Sequence, residues 1–171
     1  MMDFSVLKIL KWILLFTLIN STCVDAQAKV ESQKDGQFDF WVGEWDVYKY
    51  GTDTLLGHSH IESVLNRYVI KETYSSSRSP YEGTSFSKYN QINNKWEQYW
   101  VDNSGVTLHI VGAYSDNKMI LSNKEERSTG STYNKLIWTD LKEKGVRQTW
   151  KQSLDGISWN TIYDGHYIPK K

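Results

Sequence analysis

Alternation of apolar and polar residues constrains this chain more than any other feature of its sequence. From Glu44 onward the period is two nearly everywhere, and clusters of turn-forming residues recur every 8–12 residues. The clusters are rich in Asn, Asp and Gly, which tolerate the positive φ values of hairpin turns. The pattern predicts ten β-strands, near residues 45–50, 55–65, 68–76, 83–89, 95–101, 106–114, 119–124, 131–141, 146–153 and 159–168.

No segment after residue 30 has a helical pattern of helical length, although residues 37–41 have room for one short turn. Ten hairpin-linked strands would leave long unpaired edges unless the sheet closes on itself. We therefore predict an all-β fold, a single antiparallel up-and-down β-barrel of about ten strands, whose interior has room for one small ligand. A β-sandwich is the alternative, and the lack of a fixed-length repeat disfavours a propeller.

The charges argue against several classes of partner. The 171 residues include 20 Lys and Arg against 20 Asp and Glu, interspersed along the chain. Nucleic-acid binders carry a basic surplus that releases counterions from phosphate, so we expect no nucleic-acid partner. Runs of like charge are also missing from the sequence, which argues against disorder and against polybasic membrane targeting.

The N-terminal segment is typical of a secretory signal peptide. Lys8 and Lys11 precede or flank an apolar run at 12–19, and the small-residue pattern Ala26-Gln27-Ala28 follows. The run is too short to cross a bilayer, which takes about 20 residues, so a retained membrane anchor is the weaker alternative. We predict cleavage after Ala26 or Ala28, export to the periplasm or beyond, a flexible segment at 29–37 and a barrel domain at 38–168.

Cys23 lies before the predicted cleavage site, so the mature chain would contain no cysteine. No disulfide, zinc–thiolate site or catalytic thiol is then expected. Lipid attachment at Cys23 is the alternative. It is disfavoured by Thr22 and Asn20, which stand where such signals prefer a small and an aliphatic residue.

Charged residues orient the strands, because Lys and Arg side chains usually point to water. Arg147 and Lys151 define one outer face, Lys95 and Glu97 a second, and Lys71 and Lys135 two more. The residues predicted to face inward are Tyr68, Ile70, Glu72, Tyr74, Trp96, Gln98, Trp100, Leu136, Trp138, Val146, Gln148, Trp150, Gln152, Trp159, Thr161, Tyr163 and Tyr167.

This predicted interior combines aromatic rings with a few polar groups, which is typical of a small-molecule site. We predict a non-catalytic binding protein for a small, partly apolar ligand, with no cofactor. Its binding residues would be Trp96, Trp100, Trp150 and Tyr163, with Gln98, Gln148 and Glu72 orienting the ligand. The alternative is a filled core in which the polar groups bond one another or ordered water.

Two other functions stay open at this stage. A small isomerase or hydrolase could use Glu72 as a general base if burial raised its pKa, with Asp102 at the barrel mouth. Such an enzyme needs at least two perturbed titratable groups at the cavity. A carbohydrate-binding module would instead need two or more tryptophans exposed on one flat outer surface.

The histidines are weak metal candidates. His58, His60 and Glu62 lie at i, i+2 and i+4 and so share one strand face, which we expect to be the solvated one. His109 and His166 are isolated in the sequence. For His166, near the end of the chain, a surface position on a strand is expected, and a haem or metal role is the alternative. The motifs of serine hydrolases, zinc peptidases and phosphate-binding loops are missing from the sequence.

The densest motif is the run FDFWVGEWDV at 38–47, which predicts an aromatic plug leading into the first strand, with Trp45 closing one end of the barrel. This run resembles the F-D-[FL]-x-[VIL]-G-x-W start of a bacterial family of uncharacterised lipocalin-like (calycin-type) domains. The tryptophan-containing segments 95–105 and 145–159 and the end at 164–167 are similar to that family too. The resemblance implies a single antiparallel barrel with an interior pocket, and no particular activity.

The sequence departs from such domains in two places, and one further segment resembles a different motif. An arginine that such domains often carry is missing from 133–138, and the G-x-W-x-G-x-G start of haem-binding relatives is not completed after Gly43. The segment 153–159 resembles the aspartate-box hairpin of sialidases, one residue shorter. That motif stabilises a turn and implies no catalysis.

Overall fold

Ten antiparallel strands close into a barrel in the computed structural model, which describes residues 36–128 and 130–170. Short 3₁₀ helices precede the first strand (Gly36–Trp41) and the ninth (Lys142–Lys144). The strands are β1 Gly43–Lys49, β2 Leu55–Val64, β3 Val69–Ser76, β4 Glu82–Asn90, β5 Lys95–Asp102, β6 Thr107–Ser115, β7 Lys118–Arg127, β8 Gly130–Asp140, β9 Val146–Ser153 and β10 Asn160–Pro169.

Each strand pairs with its neighbour in sequence, and β1 pairs with β10 to close the sheet. This arrangement confirms the all-β up-and-down barrel, and the strands begin and end within a few residues of their predicted positions. The predicted signal peptide at 1–28, Cys23 and nearly all of the segment at 29–37 lie outside the described residues. Within the described part of the chain, no helix is long and apolar enough to span a bilayer.

The hairpin turns use the residues that the sequence marked for them. Asn94, Asp116 and Asn117 have positive φ, as do the turn glycines Gly105 and Gly156. These residue types adopt left-handed backbone at little steric cost.

The turn between β2 and β3 carries no glycine. Leu65, Asn66 and Arg67 all have positive φ there. Tyr68 belongs to this turn and is 60% exposed, so its predicted inward position was wrong.

A β-bulge in β10 corrects two further predictions. The register with β9 shifts between Thr161 and Tyr163, so Thr161 lies opposite the outward Lys151 while Tyr163 lies opposite Trp150. Thr161 is therefore exposed rather than inside the barrel. Trp159 also lies outside, because the ammonium group of the outer-face Lys135 sits 4.2 Å from the centre of its ring.

Aromatic side chains fill one end of the barrel. Phe38 stacks on Trp41 with ring centres 5.0 Å apart and packs edge-on against Trp96 and Trp138. Trp41 and Trp138 are fully buried, and the backbone carbonyl of Trp41 accepts a hydrogen bond from the indole N–H of Trp45 at 2.9 Å. The aromatic plug expected from the sequence is thus present, at the end where β1, β5 and β9 begin.

Candidate functional site

The other half of the barrel encloses a cavity of about 130 Å³. Its floor is formed by Glu72, Gln98 and Tyr167, which are less than 5% exposed, and its mouth by rings that are partly exposed. The mouth rings are Tyr74, Tyr81, Trp100, Trp150 and Tyr163. Leu108 and Leu136 lie in the wall as the cross-strand partners of Trp100 and Trp150, and Gln148 completes the lining. Tyr74 and Trp100 lie near the ends of β3 and β5, and both strands begin at the end of the barrel that holds the plug, so the cavity opens away from the plug.

Two glycines make room for the rings at the mouth. A Cβ atom on Gly83 would lie 2.2 Å from Cζ2 of Trp100, and one on Gly165 would lie 2.5 Å from the hydroxyl oxygen of Tyr163. Contacts that short do not occur between side-chain atoms, so any larger residue would push the ring aside. Because the two glycines have no side chain, the rings of Trp100 and Tyr163 pack directly against the backbone and do not fill the cavity.

Glu72, on β3, is the charged group of the cavity floor and is 3% exposed. Ser59 Oγ donates to its Oε1 at 2.9 Å, and Ser85 Oγ donates to its Oε2 at 3.2 Å. Both serines come from the strands flanking β3, where Ser85 is the direct cross-strand partner of Glu72. The carboxyl group is thus held between two hydroxyl donors.

Tyr167 links Glu72 to the neighbouring amide. Its hydroxyl lies 3.4 Å from Glu72 Oε1 and only 2.5 Å from Gln148 Oε1. A phenol has one proton to donate, and the shorter contact identifies Gln148 as its main acceptor. On the opposite side of the floor, Gln98 Nε2 donates to Ser87 Oγ at 2.9 Å.

Burial dominates the protonation equilibria of the cavity. Burial raises the pKa of Glu72 to about 7, although hydrogen bonds from Ser59, Ser85 and Tyr167 lower it in part. Burial also raises the pKa of Tyr163 and holds that of Tyr167 well above its ordinary value. Among the described lining residues, Glu72 is therefore the group that changes charge near neutral pH.

Asp102 holds the rings at the mouth. Its Oδ2 accepts hydrogen bonds from Tyr81 at 2.9 Å and from the indole N–H of Trp100 at 3.0 Å. Burial would raise the pKa of this carboxyl, but hydrogen bonds from Ser104, Trp100 and Val106 outweigh it and keep the pKa well below the usual range. Asp102 therefore stays ionised, with Oδ2 positioning the mouth rings and Oδ1 accepting hydrogen bonds from the turn at Ser104 and Val106.

The structure brings together all the predicted ligand-binding residues except Trp96. The cavity lining includes Glu72, Gln98, Trp100, Gln148, Trp150 and Tyr163. Trp96 belongs instead to the plug, packed against Phe38, with its indole N–H donating to Gln37 at 3.1 Å. Trp96 therefore does not line the cavity, because the 3₁₀ helix before β1 fills the end of the barrel where β5 begins.

Sequence reasoning missed Ser59 and Ser85, the two donors to Glu72. A usable signal was present, since Ser59 lies between His58 and His60 and must face the opposite side of β2. It also missed Tyr81, which lies in the connection before β4, where strand alternation says nothing about direction.

The histidine group faces outward, as expected. His58 Nδ1 pairs with Asp46 Oδ1 at 2.7 Å, His60 pairs with Glu44, and Glu62 accepts from Lys71 at 3.0 Å. In the described residues, no set of three or more His, Cys, Asp or Glu side chains is arranged to hold a metal ion. His109 stacks on Tyr99 with ring centres 4.2 Å apart, and His166 contacts the backbone oxygen of Lys144.

No tryptophan that the structure describes is exposed. The flat outer platform that a carbohydrate-binding module would need is therefore missing from residues 36–128 and 130–170. The exposed aromatic side chains in this range are Tyr50, Tyr68, Phe86 and Tyr99.

Comparison with known proteins leaves the function to be argued from the site. No protein-family model matches the chain, and no curated protein is significantly similar to it in sequence. The resemblance to calycin-type domains thus stays a prediction as far as family membership is concerned. The barrel and its cavity are observed in the structure and do not depend on that resemblance.

Proposed function

We propose that this protein is an exported binding protein that holds one small, partly apolar molecule inside the barrel. The observation that carries the proposal is the cavity itself, which has aromatic walls, a mouth of partly exposed rings and a buried carboxyl group on its floor. Small-molecule sites typically combine such an apolar lining with a few converging polar groups. A filled core would have no such space.

The cavity volume limits the size of the ligand. An engineered protein cavity of about 150 Å³ holds one benzene molecule. The 130 Å³ found here therefore suits a compound with a single ring or a short branched chain, with any further atoms reaching toward the mouth. Ligands of drug size occupy about 300–1,000 Å³ and would need the mouth rings to move.

The protonation states favour binding over acid–base catalysis. Among the described lining residues, Glu72 titrates near neutral pH while the cavity tyrosines stay protonated. The tyrosines are perturbed as well, but their pKa values move upward, away from neutral pH, whereas general acid–base catalysis needs groups with pKa values near the working pH. A single carboxyl group that already accepts hydrogen bonds from two serines serves better as a ligand acceptor.

Native mass spectrometry of the protein, purified from the exported fraction of its own host, tests this function. The expected spectrum contains a small organic adduct that survives purification. The variant Leu136→Trp fills the cavity and should lose the adduct. The control Phe86→Trp adds an indole on the outer face, where Phe86 is 45% exposed, and should keep it.

A protein without an adduct is then screened with soluble one-ring compounds, namely benzyl alcohol, benzylamine and benzoate. Binding of any of them should raise the unfolding temperature of the protein and not that of Leu136→Trp. If no adduct is found and none of the three compounds shifts the transition, the binding function is refuted.

Export is supported by the N-terminal pattern described above, and intact-mass measurement of the full chain expressed in a bacterial host tests it. Cleavage after Ala26 or Ala28 gives two distinguishable masses. Retention of residues 1–28 in the mature protein would refute export by this route. A mass that includes acyl chains at residue 23 would establish lipid attachment at Cys23.

A further inference from the structure

The charge pattern of the cavity indicates the chemical class of its ligand. Glu72 is the acidic residue among those lining the cavity, and the lining contains no Lys, Arg or His side chain. A buried carboxylate that has only hydroxyl partners lacks the opposite charge that would compensate its desolvation. The walls add electron-rich aromatic rings, whose faces also attract positive charge.

We infer that the preferred ligand is a compact organic ammonium ion whose N–H group donates to Glu72 while the aromatic rings surround its carbon skeleton. This inference rests on the proposed binding function and adds the ligand class. A cation is favoured over a neutral molecule of the same shape, and an anion is excluded by repulsion from Glu72.

Glu72 has room for one more donor. A carboxylate offers about four acceptor positions on its two oxygens. Ser59 and Ser85 occupy two of them, and Tyr167 at 3.4 Å is a weak third because its proton goes mainly to Gln148. At least one position is therefore open to a ligand that enters from the mouth.

Three rings of the wall have their polar atoms engaged, so they offer mainly their apolar surfaces to a ligand. The indole N–H of Trp150 donates to Asn134 Oδ1 at 3.0 Å, and that of Trp100 donates to Asp102. The Tyr74 hydroxyl donates to the backbone oxygen of Leu56 at 3.3 Å. Such rings contribute cation–π attraction and shape, while Glu72 supplies the directional contact.

The groups that face Glu72 leave it in control of the pH response. They are Ser59 from β2, Ser85 from β4, Tyr74 on its own strand, and Tyr163 and Tyr167 from β10. Burial raises the pKa of all three tyrosines, which stay neutral between pH 5.5 and 8. The titratable groups on the adjacent outer faces, such as Lys71 and His60, are paired with Glu62 and Glu44 and point away from the cavity.

Isothermal titration of the mature protein at pH 8 compares three probes of similar shape: benzylamine, benzyl alcohol and benzoate. Benzylamine should bind about tenfold or more tighter than benzyl alcohol, as a charge-assisted hydrogen bond requires. Benzoate should show no binding. Lowering the pH to 5.5 should weaken benzylamine binding by about 10- to 30-fold, because protonated Glu72 must first lose its proton.

Glu72→Gln keeps the shape of the side chain and removes its charge, so it should bind benzylamine and benzyl alcohol equally. The matched control is Glu97→Gln, which changes a glutamate that is 6% exposed but hydrogen-bonded to Asn90 and Asn93 outside the cavity. This control should keep the preference for the amine. Circular dichroism verifies that each variant is folded.

The outcomes separate the ligand class from the binding function. Equal affinity of the protein for the amine and the alcohol, or tighter binding of benzoate, overturns the ammonium inference and leaves the binding function standing. An amine preference that survives Glu72→Gln overturns the role of Glu72. If none of the probes binds and the protein carries no adduct, both proposals fail.

Discussion

Burial of Glu72 should make the stability of this protein fall as the pH rises, which is the reverse of the usual behaviour of a paired carboxylate. In the folded protein burial raises the pKa of Glu72 to about 7, from an ordinary value of 4.5. Between these two values the folded state holds a proton on Glu72 that the unfolded state has lost. The neutral carboxyl is therefore stabilising below pH 4.5, and this contribution is lost as the pH rises through 7.

The size of the effect follows from the gap between the two pKa values. Each pKa unit corresponds to about 1.4 kcal/mol, so the contribution of Glu72 to the free energy of unfolding should decline by about 3 kcal/mol between pH 4.5 and pH 8. Glu72→Gln cannot titrate and lacks this decline. The stability difference between the protein and the variant should therefore change by that amount in favour of the variant.

Urea unfolding of both proteins at half-unit steps from pH 4.5 to pH 8 measures this difference. The control is Glu97→Gln. The pKa of Glu97 is lowered, mainly by the hydrogen bond from Asn93. Together with the hydrogen bonds from Asn90 and Tyr99, it outweighs the effect of burial. Its contribution is present above pH 4.5 and is lost only below it, so this variant should parallel the parent protein from pH 5 to pH 8. A flat difference for Glu72→Gln over the same range would show that the folded state does not hold Glu72 protonated, and would refute the reasoning.

Three further tests by urea unfolding address the cavity, a turn and an ion pair. Leu136→Phe should change stability by less than about 1 kcal/mol because the ring enters the cavity. Leu121→Phe should destabilise by about 1–3 kcal/mol, because Leu121 is fully buried and lies outside the cavity lining. Equal losses would mean that the cavity offers no space for the ring. Asp155→Ala should lower the urea midpoint, because its Oδ1 accepts the backbone N–H groups of the two residues at 157 and 158; an unchanged midpoint would count against a stabilising turn. Arg147→Lys should lower the free energy of unfolding by about 0.5–1 kcal/mol. It removes the two-point contact with the Asp164 carboxylate and the guanidinium stack 3.8 Å from the centre of the Tyr50 ring. Half-molar salt should shrink this loss, and a salt-independent loss would assign it to packing alone.

Much of the fold could be predicted from local sequence, because strand alternation and turn chemistry act over a few residues. The strands and the glycine- and asparagine-containing turns lie where the pattern puts them. The placement of Glu72 inside the barrel followed from the outward Lys71 alone. The hairpin predicted at 153–159 is present as well, and Asp155 accepts hydrogen bonds from two backbone N–H groups there.

The exceptions arise where one residue changes the alternation or where distant segments meet. The bulge in β10 turned Thr161 outward, and the β2–β3 turn took up Tyr68, although neither place carries a glycine or proline that would mark it. Trp96 and Trp100 have the same periodicity in β5. Only the packing of Phe38 against Trp96 assigns one ring to the plug and leaves the other at the cavity.

The sequence by itself determined the class of fold, the limits of its strands and the face on which most side chains lie, because these depend on a period of two and on short turns. The tertiary structure decided which half of the barrel is filled, that a cavity remains, and that Ser59 and Ser85 meet Glu72 there. Those properties depend on contacts between residues far apart in the chain. Burial, and with it the raised pKa of Glu72, exists only once the ten strands have closed around it.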